Sequence, residues 1–131
     1  MDARLDKLPL VLVVDDDARS ASLLARLLRA DGYETEVTID GAAALARLTR
    51  DPVPEALVTD LHLPHADGLA ISRYARSRRA GIPIFVVTGY PHLLEGSAES
   101  SDGPIEVLTK PLDYADLLRR LASALGSVRV P

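Results

Sequence analysis

Four short apolar runs in this sequence end on residues that can do chemistry. Leu10-Val-Leu-Val-Val14 ends in Asp15-Asp16-Asp17, Ala56-Leu-Val-Thr59 in Asp60, Ile84-Phe-Val-Val87 in Thr88-Gly89, and Ile105-Glu-Val-Leu-Thr109 in Lys110-Pro111. Apolar runs of this length between turn residues read as buried strands. If the strands are parallel neighbours, their carboxyl ends meet at the edge where open α/β sheets hold ligands. That edge would gather several acids, one hydroxyl and one ammonium. Two unit charges about 4 Å apart repel by roughly 4 kcal/mol at an effective dielectric near 20, so Asp15, Asp16 and Asp60 cannot comfortably all be ionised together. A hard divalent cation relieves the repulsion, and oxygen ligands suit Mg²⁺ or Mn²⁺. Taken singly, Asp60 reads as a loop cap, Asp17 as a helix cap, and Thr88 and Lys110 as ordinary strand-end residues. Their joint order singles them out.

The elements between these runs predict how the edge is assembled. Asp17 opens a helical pattern with Ala21, Leu24, Leu27 and Leu28 on one face, stopping at Asp31-Gly32. Tyr33, Thr35, Val37 and Ile39 then alternate with Glu34, Glu36 and Thr38, the period of a half-exposed edge strand. Asp40-Gly41 opens a second helix that ends near Asp51 at Pro52 and Pro54. The third strand, 55–60, leads into a loop shaped by Pro64 and the Asp67-Gly68 turn. A third helix follows over 68–79, with a basic cluster of Arg73, Arg76, Arg78 and Arg79 that reads as a solvated face or a docking surface. After Thr88 only 92–98 could be helical, because Gly96, Ser97, Ser100, Ser101, Gly103 and Pro104 disfavour continuation, so a short or irregular fourth helix is expected. The last helix has Asp113 at its start, Leu117, Leu118, Leu121 and Leu125 on one face, and Gly126 as its stop. Such alternation implies right-handed crossovers and a parallel sheet covered on both faces.

These residues resemble the receiver domain of two-component response regulators. The family pattern is an acidic pair after the first strand, a phosphorylated Asp after the third followed by x-x-x-P-x-x-D-G, a Thr or Ser after the fourth, and Lys-Pro after the fifth. The sequence matches at Asp15 and Asp16, at Asp60 with Pro64, Asp67 and Gly68, at Thr88, and at Lys110 with Pro111. The resemblance runs from about Leu10 to Leu125. It implies an α/β fold with a doubly wound five-stranded parallel sheet of order 2-1-3-4-5 and five helices. It also implies that Asp60 accepts a phosphoryl group from a histidine kinase or histidine phosphotransfer protein, so that the chain regulates a downstream partner. By the same resemblance Asp16, Asp60 and the backbone carbonyl of His62 bind the metal, Asp15 acts largely through water, and Thr88 and Lys110 contact the phosphoryl oxygens. The Lys110-Pro111 bond is expected to be cis. Phosphoryl transfer to a carboxylate fits this set, since the incoming oxygens need positive charge and hydrogen-bond donors around them.

Three positions depart from the family pattern. Val107 stands where a large switch aromatic is usual, Gly89 where a small Ala is common, and His62 occupies a variable position beside the phosphoryl group. These departures question the usual switch more than the phosphotransfer. One enzymatic rival takes Asp15 as the nucleophile of a haloacid-dehalogenase-like phosphatase, but the later acidic pair and cap region expected there are missing. A flavodoxin-like cofactor binder is disfavoured because three acids in the first loop would repel a phosphate moiety.

Composition agrees with a receiver. The 131 residues are 47% hydrophobic and mean hydropathy is +0.10, which argues for one folded domain with its core at about 10–125 and short tails at 1–9 and 126–131. A net charge of −4 gives no global attraction to nucleic acid or anionic membrane. The chain has no cysteine, no apolar stretch long enough to span a bilayer and no apolar amino-terminal signal segment, so a cytoplasmic location is expected. Beyond its own phosphorylation and dephosphorylation, no enzymatic activity is expected. With no output segment after the last helix, the output is expected to be a binding event.

Overall fold

The computed structural model describes residues 7–91, 99–100 and 103–126. The central strands β1 (Leu10–Val14), β3 (Ala56–Asp60) and β4 (Ile84–Thr88) are buried at all five positions. Such runs are rich in β-branched residues and face helices on both sides, as parallel strands require. β2 (Glu34–Thr38) exposes Glu34 and Glu36 and buries Thr35, so it fits only an edge. β7 (Glu106–Thr109) forms the other edge. The sheet runs β2-β1-β3-β4-β7 with every neighbour parallel, the expected 2-1-3-4-5 order. Among the described residues the chain also forms a small antiparallel pair, β5 (Glu99–Ser100) with β6 (Gly103–Pro104), that the Ser- and Gly-rich sequence did not announce.

Strand alternation divides the core into two layers. Val11, Val13, Val58, Phe85 and Val87 pack against α1 (Ala18–Ala30) and α4 (Tyr114–Leu125) through Ala21, Leu28, Leu117 and Leu121. Leu12, Val14, Leu57, Ile84 and Val86 face α2 (Gly41–Leu48) and α3 (Gly68–Arg78) through Ala44, Leu48, Ile71 and Ala75. Each fully buried Leu or Ile stabilises the fold by about 1.5–3 kcal/mol, so a one-residue register slip that turned either set outward would be costly.

All four described helices start on an Asp cap. Asp17, Asp40, Asp67 and Asp113 accept from backbone amides of the first turn, each cap contributing about 1 kcal/mol. Of the three consecutive acids after β1, only Asp17 is spent in this way. The fourth of the five expected helices, at 92–98, lies outside the described residues.

Arg73, Arg78 and Arg79 of the basic cluster are exposed, as on a solvated face, and Arg76, Arg78 and Arg79 also bond backbone carbonyls. Arg78 Nε donates to the Leu48 carbonyl at 2.8 Å and Arg79 Nε to that of Pro54 at 3.1 Å, while Arg76 reaches the Ile82 carbonyl. Arg78 and Arg79 thus satisfy carbonyls at the end of α2 and in the Pro-rich connection to β3, and Arg76 one just before β4, on the sheet edge opposite the acids. Buried Arg47 does the same for Arg50 and Pro52 and pairs with Glu36.

Candidate metal and phosphoacceptor site

Strand register brings the chemistry-bearing residues together. Asp60 is paired with Val87, one residue before Thr88, and Thr88 is paired with Thr109, one before Lys110. The Leu61 amide donates to the Val87 carbonyl and the Lys110 amide to the Thr88 carbonyl, at 3.2 and 3.0 Å. The ladder thus continues past the strands and holds Asp60, Thr88 and Lys110 on three adjacent ends. Asp15 follows β1 on the other side of β3, its amide bonded to the Thr38 carbonyl at 3.1 Å.

Carboxylate oxygens of Asp15, Asp16 and Asp60 lie within 4.8 Å of one another. Lys110 Nζ donates to Asp60 Oδ2 at 2.9 Å. Asp60 is buried, Asp15 half-buried and Asp16 exposed. Burial raises the Asp15 carboxyl above its ordinary range, the charges of Asp60 and Asp16 add to this, and the Asp17 amide and Lys110 oppose it. Burial alone would lower the Lys110 ammonium, but the hydrogen bond and charge of Asp60, with Asp15 and Asp16 behind it, carry it above its ordinary value. The Lys110 side chain is 43% exposed, so the pair is partly screened by solvent.

One ammonium against three carboxylates leaves two negative charges uncompensated. A divalent cation matches that deficit, and all-oxygen donors suit a hard ion. The residues present therefore fit Mg²⁺ or Mn²⁺.

Thr88 is almost fully buried and its Oγ1 accepts from the Tyr90 amide at 3.0 Å. The Lys110-Pro111 peptide is cis, as is Asp51-Pro52. His62 is exposed, and its ring meets that of Tyr90 edge-on with centroids 6.5 Å apart. Gly89 is exposed, and a Cβ built there would touch nothing within 4 Å. Val107 stands apart from this group and packs against the α2/α3 layer.

Two close approaches fix the loop after Asp60. A Cβ on Gly68 would stand 2.5 Å from the Asp60 carbonyl oxygen, and the Gly68 amide donates to the Leu61 carbonyl at 2.8 Å. The Asp-Gly turn is thus needed for close contact with the end of β3 as well as for its turn chemistry. A groove of about 470 Å³ leads to Asp60 and Lys110 between α1 and the β7–α4 connection, lined by Leu23, Leu24, Leu27, Leu112 and Tyr114. The helical period puts Leu27, but not Leu23, on the apolar face of α1. Both are exposed, because the apolar stripe of α1 is wider than the sheet face it covers. From sequence Tyr90, two residues after Thr88, is expected to substitute in part as the reporting ring where Val107 has none, but nothing in the chain announces its contact with His62, 28 positions away.

Sheet order and site together define a class: doubly wound α/β proteins with acids, a hydroxyl and an ammonium at the carboxyl edge. The chain belongs to the response regulator receiver domain family, whose model matches residues 11–122. It is 37% identical over 115 residues to response regulator MprA of Mycobacterium leprae (strain TN), covering 88% of this chain and 50% of that protein. It is likewise 37% identical over 120 residues to response regulator MprA of Mycobacterium ulcerans (strain Agy99), covering 92% and 51%. The chain spans about half the length of these curated relatives.

Solved structures agree. A putative response regulator from Chloroflexus aurantiacus J-10-fl superposes with a TM-score of 0.77 at 30% identity, covering 91% of this chain and 98% of that one. Chemotaxis response regulator CheY4 of Vibrio cholerae gives 0.76 at 27%, covering 90% and 99%. The chain is a response regulator receiver domain of two-component signalling. Neither the phosphatase nor the cofactor-binding alternative is supported by these relatives. No helix among the described residues is long and apolar enough to cross a membrane.

Proposed function

We propose that Asp60 is the phosphoryl acceptor and that Asp15, Asp16, Asp60 and the His62 backbone carbonyl hold Mg²⁺ or Mn²⁺. The observation that carries this reading is the 2.9 Å contact of Lys110 with Asp60 inside a cluster of three carboxylates. A carboxylate oxygen of Asp60 attacks the phosphorus of a phosphohistidine on a kinase or phosphotransfer protein; the new O–P bond forms as the N–P bond breaks, and the leaving imidazole recovers a proton. A cation held by these oxygens would supply positive charge to the transferring phosphoryl group. Lys110 follows the charge from Asp60 Oδ2 onto a phosphoryl oxygen. Thr88 uses its oxygen as acceptor for the Tyr90 amide and keeps its hydroxyl hydrogen to donate. The groove beside α1 gives the donor side chain its approach.

Signalling follows from the same contacts. Thr88, drawn toward the phosphoryl group, pulls on Gly89, Tyr90 and Pro91 through the Tyr90 amide. Val107 has no ring to reorient, so Tyr90 takes the reporting role, and the signal passes to a downstream protein rather than to nucleic acid or membrane. His62, edge-on to Tyr90, lies where it can orient or obstruct the water that hydrolyses the acyl phosphate. Chain 1–131 is read as one cytoplasmic receiver domain whose only chemistry is its own phosphorylation and dephosphorylation. Phosphotransfer profiling against histidine kinases of the same organism tests the donor class. Rapid labelling by one kinase, absent in Asp60→Asn, supports the reading, and labelling by none contradicts it.

A further inference from the structure

The turn joining β2 to α2 touches both halves of the proposed metal site through backbone alone. At its start the Thr38 carbonyl accepts from the Asp15 amide at 3.1 Å, and at its end the Gly41 amide donates to the Pro64 carbonyl at 2.9 Å. Gly41 is buried against the loop that carries His62. A Cβ there would stand 2.5 Å from both the Cβ and the carbonyl oxygen of Ala66, and 2.8 Å from its Cα. Two of these three atoms are backbone, so any side chain at 41 must displace the loop. Between Pro64 and Ala66, His65 has φ 72°, a region that non-glycine residues seldom adopt. The surroundings hold this loop in a conformation its own residues do not prefer.

We infer that Gly41 is a positioning residue for divalent-cation binding, and that the turn over 38–41 is a backbone brace between the acidic pair and the acceptor loop. The inference rests on the metal reading proposed above. The Asp15 amide fixes one side of the brace and the Pro64 carbonyl the other, so the turn sets how far the carboxylates after β1 stand from the His62 carbonyl. The brace is sensitive to volume at position 41 and indifferent to the overall stability of α2.

The test compares Mg²⁺ binding by isothermal titration calorimetry in the wild type, Gly41→Ala and Leu48→Ala. Leu48 is fully buried in the last turn of α2, and its truncation lowers stability while adding no atom near the loop. Gly41→Ala should weaken Mg²⁺ binding about tenfold or more with an unchanged circular dichroism spectrum, the range seen when groups that orient metal ligands are lost. Leu48→Ala should melt at lower temperature yet bind Mg²⁺ as the wild type does. Affinity retained in Gly41→Ala, or lost in both variants in step with stability, would overturn the brace. Amide exchange at Gly41 in the wild type gives a second readout that needs no folded variant: Mg²⁺ should slow it, and an unchanged rate would overturn the inference. Absence of any Mg²⁺ binding by the wild type would instead bring down the metal reading and the brace with it.

Discussion

The ammonium of Lys110 stands 2.9 Å from Asp60 Oδ2, two residues fifty positions apart joined across the ends of β3 and β7 with β4 between them. The contact neutralises part of a crowded acidic edge and sets the cation where a transferred phosphoryl group would arrive. Replacing Lys110 with Met removes the charge and keeps much of the stem. Phosphorylation by a small acyl phosphate should then slow about tenfold or more, a barrier increase of about 1.4 kcal/mol. Mg²⁺ affinity should hold or rise, since the three carboxylates lose their only ammonium partner among the described residues. Stopped-flow or quench kinetics with calorimetry checks both; weaker Mg²⁺ binding with unchanged kinetics would contradict the role.

Asp16 and Asp17 are adjacent acids in different settings. Asp17 accepts from the amides of Arg19 and Ser20 and starts α1, whereas Asp16 is exposed with its carboxylate in the cluster. Asp17→Ala should cost about 1 kcal/mol in urea denaturation while leaving Mg²⁺ affinity near wild type. Asp16→Ala should do the reverse. Exchanged phenotypes would reassign the two residues.

Gly68 lies 2.5 Å, measured from the Cβ it lacks, from the Asp60 carbonyl oxygen. Gly68→Ala must push the end of β3 or the start of α3, with a cost of about 1–3 kcal/mol as for other overpacked sites. The acceptor rate should fall with it. Denaturation midpoints and phosphorylation rates measured together check this, and a variant as stable and as fast as wild type would show that the contact relaxes freely.

His62 meets Tyr90 edge-on at the mouth of the site. His62→Ala should change the rate of aspartyl-phosphate loss by more than about twofold, a barrier change above roughly 0.4 kcal/mol. Decay followed after removal of donor measures it, and an unchanged half-life would remove His62 from the hydrolytic step.

The site was legible because each of its residues closes a run whose apolar character marks a buried strand, and because parallel strands put their carboxyl ends together. Asp17 could be separated from Asp15 and Asp16 by capping logic alone. What the sequence hides is backbone geometry. The Thr38 and Gly41 bonds leave no side-chain signature, and Ala66 gives no hint that it presses on Gly41. Arg78 and Arg79 read as solvent charge, and nothing in the chain announces that they also bond the carbonyls of Leu48 at the end of α2 and of Pro54 in the connection to β3, 30 and 25 residues away. Leu27 follows the helical period into the core stripe, yet the groove beside α4 leaves it exposed. Nor does composition foretell the β5–β6 pair, whose strands are two residues each.

The most direct test is mass spectrometry of the intact chain after incubation with Mg²⁺ and a small acyl phosphate, wild type beside Asp60→Asn. The wild type should gain one phosphoryl group that survives acid and is lost in base, and Asp60→Asn should gain none. Equal labelling of the two would place the acceptor elsewhere and contradict the assignment of Asp60.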